Sequence, residues 1–113
     1  MAKKAQNKKP IKKSTEELFS AIEKAIENVD YYFTDHGEMR SETRRKVTDE
    51  EVIKILEGKD KWHEKSKDKF EEGKSDWNYH IRGKNTDDER VRVAVSFDEY
   101  GMPVITVINL DED

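Results

Sequence analysis

Residues 77–109, WNYHIRGKNTDDERVRVAVSFDEYGMPVITVIN, decide the fold class of this chain. Large apolar residues alternate with polar ones over 77–82 and again over 90–97, which is typical of strands with one buried face. The polar run 83–89 separates these two segments, and Asp98-Glu99-Tyr100-Gly101 is typical of a hairpin turn. A third, mostly apolar segment follows at 103–109. The stretch therefore predicts an antiparallel meander.

The residues before this stretch have helical periodicity instead. Ser14–Glu17 forms an S-x-x-E capping box, and the apolar residues that follow predict a helix from about Thr15 to Asn28. A second capping box at Thr48–Glu51 predicts a helix that ends at Gly58. Between them, a weaker helix is expected from residue 34 or 35 to about residue 45, with Gly37 inside it.

Short segments complete the expected organisation. Tyr31–Phe33 is β-prone and predicts an extended bridge or one short strand, and residues 61–64 predict a short edge strand. The lysine-rich segment 65–76 is expected to be a loop. The element order predicts an α+β domain at residues 14–110, with N-terminal helices packed on an antiparallel sheet of three to four strands. Residues 1–13 are expected to be a disordered basic arm, and residues 111–113 an acidic tail.

Charge is distributed unevenly along the 113 residues. Charged residues make up 42% of the chain and apolar residues only 33%, so the core must be small. Residues 1–13 hold six of the 22 basic residues and no acid, which leaves 16 basic against 26 acidic residues, a formal net charge of -10, in the rest. No run is long and apolar enough for a membrane span, and no secretory segment follows the basic start, so we expect a cytoplasmic protein without membrane contact.

A first candidate site follows from helical spacing. His36, Arg40 and Arg44 are spaced i, i+4, i+8, so a helix would place them on one face, where three cations repel one another unless an anion compensates. Phosphate fits, because arginine presents a fork of donors to its oxygens, and a histidine can transfer a proton near neutral pH. The alternative is a solvated helix face on which neighbouring glutamates pair with the arginines.

A second candidate site follows from strand spacing. His80, Arg82, Arg90 and Arg92 point away from the apolar face of their strands, so pairing in register would collect a histidine and three arginines on one sheet face. Such a face suits RNA chemistry, in which a base takes the 2′-hydroxyl proton and cations stabilise the charge on phosphorus. The alternative is an exposed sheet face that is polar because it meets water.

Other chemistries lack their motifs. The chain has no cysteine, no H-E-x-x-H, and no phosphate-binding or nucleophile-elbow motif, so no metal site and no cofactor are expected. Trp62 and Trp77 are expected to be core or sheet aromatics rather than a surface on which bases stack.

An ordered set of short motifs resembles a small bacterial domain family of unknown function. Its F-T-x-H-x-x-x-R-x-x-x-R signature matches Phe33 to Arg44, followed by a V-T…V…L pattern from Val47 to Leu56. Downstream, a Y-x-I-x-G motif, an R-V-x-V-x-V strand and a closing I-T-V match residues 79–83, 90–95 and 105–107. The resemblance spans roughly residues 14–110. Lys46 departs from it, since the family usually has glycine there.

This family is considered similar in fold to the BrnT, RelE and ParE toxins, which pack N-terminal helices on a curved antiparallel sheet. Many members of the wider group cleave RNA and pair with a cognate antitoxin. The resemblance implies a metal-independent endoribonuclease of a toxin-antitoxin system, with His36 and Arg40 as the positions of interest and Arg44 close behind. With the sheet face added, the expected catalytic residues are His36, His80 and Arg40. The expected phosphate ligands are Arg44, Arg82, Arg90 and Arg92.

Two other functions stay open at this point. The same fold could serve as a non-catalytic interaction module that uses its basic groove for an acidic partner, or as a purely structural domain. The acidic body bears on this choice, because most non-specific affinity for RNA comes from phosphate contacts. RNA binding therefore requires a local basic patch on an otherwise acidic domain.

Overall fold

The computed structural model describes residues 10–34 and 48–111, which form an α+β fold of two helices and a five-stranded mixed sheet. The α+β class is confirmed, but the sheet has five strands rather than three to four. The elements in chain order are α1 (Thr15–Glu27), β1 (Tyr31–Phe33), α2 (Asp49–Glu57), β2 (Trp62–His63), a 3-10 turn (Lys65–Lys67), β3 (Tyr79–Lys84), β4 (Arg90–Val95) and β5 (Met102–Asn109).

Both helices begin at the capping boxes that the sequence predicts. The Ser14 side chain accepts from the backbone N–H of Glu17, whose carboxylate accepts from the backbone N–H of Ser14. Thr48 and Glu51 make the same reciprocal pair at the start of α2, which ends at Gly58. The helix expected between residues 34 and 45 lies mostly outside the described residues, as do His36, Arg40 and Arg44.

The strand order β1-β5-β4-β3-β2 places the last strand of the chain inside the sheet. Neighbours from β2 to β5 are antiparallel, as the meander predicts, whereas β1 pairs with β5 in parallel. Parallel strands need a long connection between them, and here α2 and strands β2 to β4 separate β1 from β5 along the chain. The pairing makes the sheet mixed and brings Tyr31 opposite Met102.

The core lies between the two helices and one face of the sheet. It is formed by fully or nearly fully buried apolar residues from α1, α2, β3, β4 and β5, with Leu18, Val52, Tyr79, Val93 and Val104 at 0% exposure. Gly83 allows this packing, because a Cβ at that position would lie 2.6 Å from Cγ2 of Ile55 on α2. The opposite sheet face, here called the outer face, carries the alternate residues of each strand.

The end of the expected basic arm contacts the domain. The Trp77 indole N–H donates to the carbonyl of Pro10 at 2.9 Å, and the Lys13 ammonium lies 2.6 Å from Asp76. The Lys13 backbone N–H also donates to the Tyr79 hydroxyl. These contacts attach residues 10–13 to the domain, whereas residues 1–9 lie outside the described ranges. In the described ranges, no helix has both the length and the apolar content that crossing a membrane requires.

Candidate functional site

The register of the sheet brings the expected strand residues to the outer face. His80 pairs with Ala94, Arg82 with Arg92, and Lys84 with Arg90, while their neighbours Tyr79, Ile81 and Val93 are buried in the core. Side chains alternate between the two faces of a strand, so the histidine and the arginines share the outer face. The structure does not describe residues 35–47, so it does not place His36, Arg40 and Arg44 relative to this set.

Two of the expected phosphate ligands are held by one carboxylate. Arg92 donates from Nε and Nη2 to the two oxygens of Glu64, at 2.7 and 3.0 Å, and Arg82 Nη1 lies 3.4 Å from Glu64 Oε2. The Glu64 side chain is only 9% exposed. Hydrogen bonding from Arg92 lowers the pKa of Glu64, against the opposing effect of burial. Glu64 therefore stays ionised at neutral pH and offsets part of the positive charge of both arginines.

Arg90 is paired elsewhere. Its backbone N–H and its guanidinium both donate to Asp111, the Nε bond being 2.8 Å long, at the end of the sheet. Its side chain is 56% exposed, so the pair lies in solvent. Arg90 thus links the first residue of β4 to Asp111, which follows β5.

A buried carboxylate, Asp68, connects the loop after β2 to the strands. It is 0% exposed and accepts from His63 Nε2 at 2.6 Å and from the backbone N–H of His80 at 2.9 Å. The Lys12 ammonium lies 3.1 Å from its Oδ2. A buried carboxylate with several donors is held in one orientation, because each oxygen is engaged.

The far nitrogen of the His63 ring contacts the first residue of α1. His63 Nδ1 lies 2.9 Å from the Thr15 hydroxyl. Because a carboxylate only accepts, Nε2 carries a proton toward Asp68, while Nδ1 shares the second hydrogen bond with the Thr15 hydroxyl. The His63 side chain is 1% exposed, so this chain of contacts ties α1 to the sheet rather than meeting solvent.

His80 has a different environment from His63. Its Nδ1 is buried without a hydrogen-bond partner and lies 3.8 Å from Asp68 Oδ1, while its side chain is 17% exposed. Burial lowers the pKa of His80, and Arg92 acts in the same direction, against the opposing effects of Asp68 and Glu64. The ring is therefore neutral near pH 7. With Nδ1 buried, Nε2 is the nitrogen that can meet a ligand.

The exposed part of His80 lines an open cleft of about 420 Å³ on the outer face, here called the outer cleft. Three of the charged residues that line it are positive, Lys67, Lys69 and Arg92, and one is negative, Asp68, whose side chain is fully buried. Both lysine residues are exposed. A local excess of positive charge thus surrounds a neutral histidine on an acidic protein, which is the arrangement an anionic ligand requires.

Glu64, Asp68, Lys67 and Lys69 were not expected from the sequence. Glu64 carried a usable signal, because it stands two residues after Trp62 in the expected edge strand and so falls on the same face. The other three lie in a segment interpreted only as a loop, and no local pattern marks them. In the described part of the chain, no three histidine or carboxylate side chains group as ligands for a metal ion.

Comparisons with known proteins add no assignment to this geometry. No protein-family model, curated protein or solved structure matches the chain.

Proposed function

We propose that this protein is a small, metal-independent endoribonuclease of the toxin type, acting on RNA in the cytoplasm and held in check by a cognate antitoxin. The observation that carries the proposal is the neutral His80 ring in a cleft rimmed by Lys67 and Lys69. A general base must be unprotonated at working pH, and the phosphate must meet cations as its charge develops. The outer cleft offers both.

His80 would act as the base. With the proton on Nδ1, its Nε2 would take the proton of a 2′-hydroxyl as that oxygen attacks the adjacent phosphorus. The bond from phosphorus to the 5′-oxygen breaks, giving a 2′,3′-cyclic phosphate and a 5′-hydroxyl. Asp68 Oδ1 lies 3.8 Å from Nδ1 and would receive the Nδ1–H after a small shift of the ring, since catalytic hydrogen bonds are often long without substrate.

The remaining candidates would serve around this base. His36 is the candidate for the acid that protonates the 5′-oxygen, and Arg40 and Arg44 are candidates to bind the same phosphate; these three roles rest on the sequence pattern alone. Among the sheet arginines, Arg92 lines the outer cleft and can bind phosphate if Glu64 shares it.

The test is incubation of purified protein with a short single-stranded RNA in the presence of a chelator of divalent metals. We expect cleavage to a cyclic phosphate product, and none of the corresponding DNA, which lacks the attacking hydroxyl. His80→Gln should slow cleavage by about 10²–10⁴-fold, the usual contribution of a general base. His36→Ala is the parallel variant for the acid.

Two results would refute the catalytic proposal. One is a His80→Gln protein that cleaves as fast as the wild type. The other is cleavage that stops when the chelator is added. The pH profile gives an independent check: because the pKa of His80 is lowered, the cleavage rate should stay constant at neutral pH and fall only below the usual histidine value of 6.5.

A second candidate function is a non-catalytic interaction module that binds an acidic partner in the outer cleft. The observation in its favour is that Arg92, which lines this cleft, already binds a carboxylate, that of Glu64. It predicts no RNA cleavage, no growth arrest on expression, and binding of poly-glutamate. Lys67→Glu with Lys69→Glu should abolish that binding and leave the fold intact.

A further inference from the structure

Trp62 is a large aromatic residue that the fold leaves in solvent. It lies on β2, the edge strand of the sheet, and is 51% exposed. Its register partner on β3 is Arg82, whose guanidinium carbon lies 5.3 Å from the centre of the Trp62 ring system. The guanidinium thus makes a cation–π contact with one face of the indole, which holds the ring in place while half of the residue stays in solvent.

The surroundings of Trp62 are positively charged. A second cleft, of about 530 Å³ and here called the edge cleft, lies between the end of α2 and the ends of β3 and β4. Five cationic side chains line it, against two anionic ones, Asp60 and Asp88. Asp88 is 83% exposed and 3.5 Å from Lys84, so this pair lies in water and little of the positive charge is lost to it.

The two clefts are joined through Glu64. This residue holds Arg82, which lines the edge cleft, and Arg92, which lines the outer cleft. Because Arg82 and Arg92 are directly paired across β3 and β4, the two openings are neighbours on one surface. An extended anionic chain could therefore run from Trp62 to His80 past Arg82 and Arg92, with Glu64 as the one carboxylate that links these two arginines.

From this arrangement we infer that Trp62 and the edge cleft form a subsite for an unpaired nucleobase and its adjoining phosphates, so that the ligand is single-stranded RNA. The inference deepens the proposed function and rests on it for the identity of the ligand. A base can stack on an indole only when its own face is free, which excludes the bases inside a duplex. The cations supply the contacts to phosphate that are independent of sequence.

The experiment measures the fluorescence of Trp62 during titration with RNA. Trp77→Phe leaves Trp62 as the one tryptophan, and in this variant a short oligouridylate should quench the emission, whereas a duplex of equal length should not. In the otherwise wild-type protein, Trp62→Ala should weaken binding of dye-labelled oligouridylate about tenfold, as expected for one lost stacking contact. Trp62→Phe retains an aromatic face and should restore most of the affinity.

Comparison of ligands and variants separates the inference from the nuclease proposal. Three results together would support the subsite and refute the nuclease: quenching of Trp62 emission in Trp77→Phe, weakened RNA binding by Trp62→Ala, and no RNA cleavage by any of the proteins. Cleavage that depends on His80, with equal affinity of wild type and Trp62→Ala, would refute the subsite alone. Equal quenching by duplex RNA or by inorganic polyphosphate would also overturn the subsite, because neither ligand presents a free base.

Discussion

Replacing Asp68 by asparagine tests whether one buried carboxylate holds the loop, α1 and β3 together. Asparagine keeps the shape and one acceptor oxygen, which can still receive the backbone N–H of His80. The Nδ2 amino group of the asparagine then takes the place of Oδ2. In the wild type, Oδ2 accepts from His63 Nε2 at 2.6 Å and lies 3.1 Å from the Lys12 ammonium. Two charge-assisted contacts are lost in a site that is 0% exposed.

The structure also limits the cost of this substitution. Each charge-assisted bond contributes about 1.5–3 kcal/mol, and removing one partner of a buried ion pair costs about 3–5 kcal/mol. The His63 ring can change tautomer, accept from the new amide at Nε2 and donate from Nδ1 to Thr15, while the partly exposed Lys12 can turn to water. We therefore expect the free energy of unfolding to fall by about 2–4 kcal/mol, a large part of the ~5–15 kcal/mol typical of a domain.

Urea denaturation at pH 7, followed by far-UV circular dichroism, measures this change. Asp60→Asn is the matched control, because Asp60 is exposed and an exposed substitution of this kind changes stability by less than about 0.5 kcal/mol. If Asp68→Asn loses no more stability than Asp60→Asn at an unchanged m value, the described network does not stabilise the fold and the reasoning is refuted.

Three further substitutions follow from the same structure. Gly101→Ala should lower the free energy of unfolding by about 2–4 kcal/mol, since φ is +126° and the new Cβ would lie 2.5 Å from the Asp30 carbonyl oxygen. Gly73→Ala is the control, because φ is +88° but the new Cβ would have nothing within 4 Å, and it should lower that free energy by about 1 kcal/mol. Equal losses in the two variants would refute the clash at Gly101. The pKa of Glu64 is lowered in the folded state, so its ionised form stabilises the fold fully at neutral pH, and this stabilisation is lost as pH falls below 4.5. Glu64→Gln should therefore lose less stability than the wild type as pH falls below 4.5, and an unchanged slope of stability against pH would contradict the pairing. Tyr79→Phe removes a buried hydroxyl with two hydrogen-bond partners and should cost about 1–3 kcal/mol in the same urea assay, whereas a neutral result would place the hydroxyl in water.

The sequence predicts those parts of the fold that depend on local chemistry. Both capping boxes mark the helix starts correctly, because the residues that satisfy the first amides are three positions apart. The alternation over 77–97 places His80 and the arginines on the correct face, because a strand has a period of two. The sequence also predicts an extended bridge or one short strand at Tyr31–Phe33 and a short edge strand at 61–64, and the structure has a short strand at each place, Tyr31–Phe33 and Trp62–His63.

Partners that are distant in sequence could not be predicted in this way. The pairing of β1 with β5 joins residues about 70 positions apart, and no local pattern specifies such a neighbour. Asp68 likewise resembles any acid in a lysine-rich loop until folding buries it between Lys12, His63 and His80. The exposure of Trp62 belongs to the same class, because a tryptophan in a two-residue edge strand is covered or left open by elements elsewhere in the chain.

The position of β5 between β1 and β4 has a consequence for how the protein is assembled. The last strand in chain order is an interior strand, so a chain shortened before Met102 would lose the neighbour of two strands at once and expose two open sheet edges. Closing β1 onto β5 also requires contacts that span most of the domain, and folds rich in such distant contacts form slowly. During synthesis, β1 therefore lacks its partner strand until β5 has been made, and until then the edges of β1 and β4 that β5 covers are open to pairing with other chains.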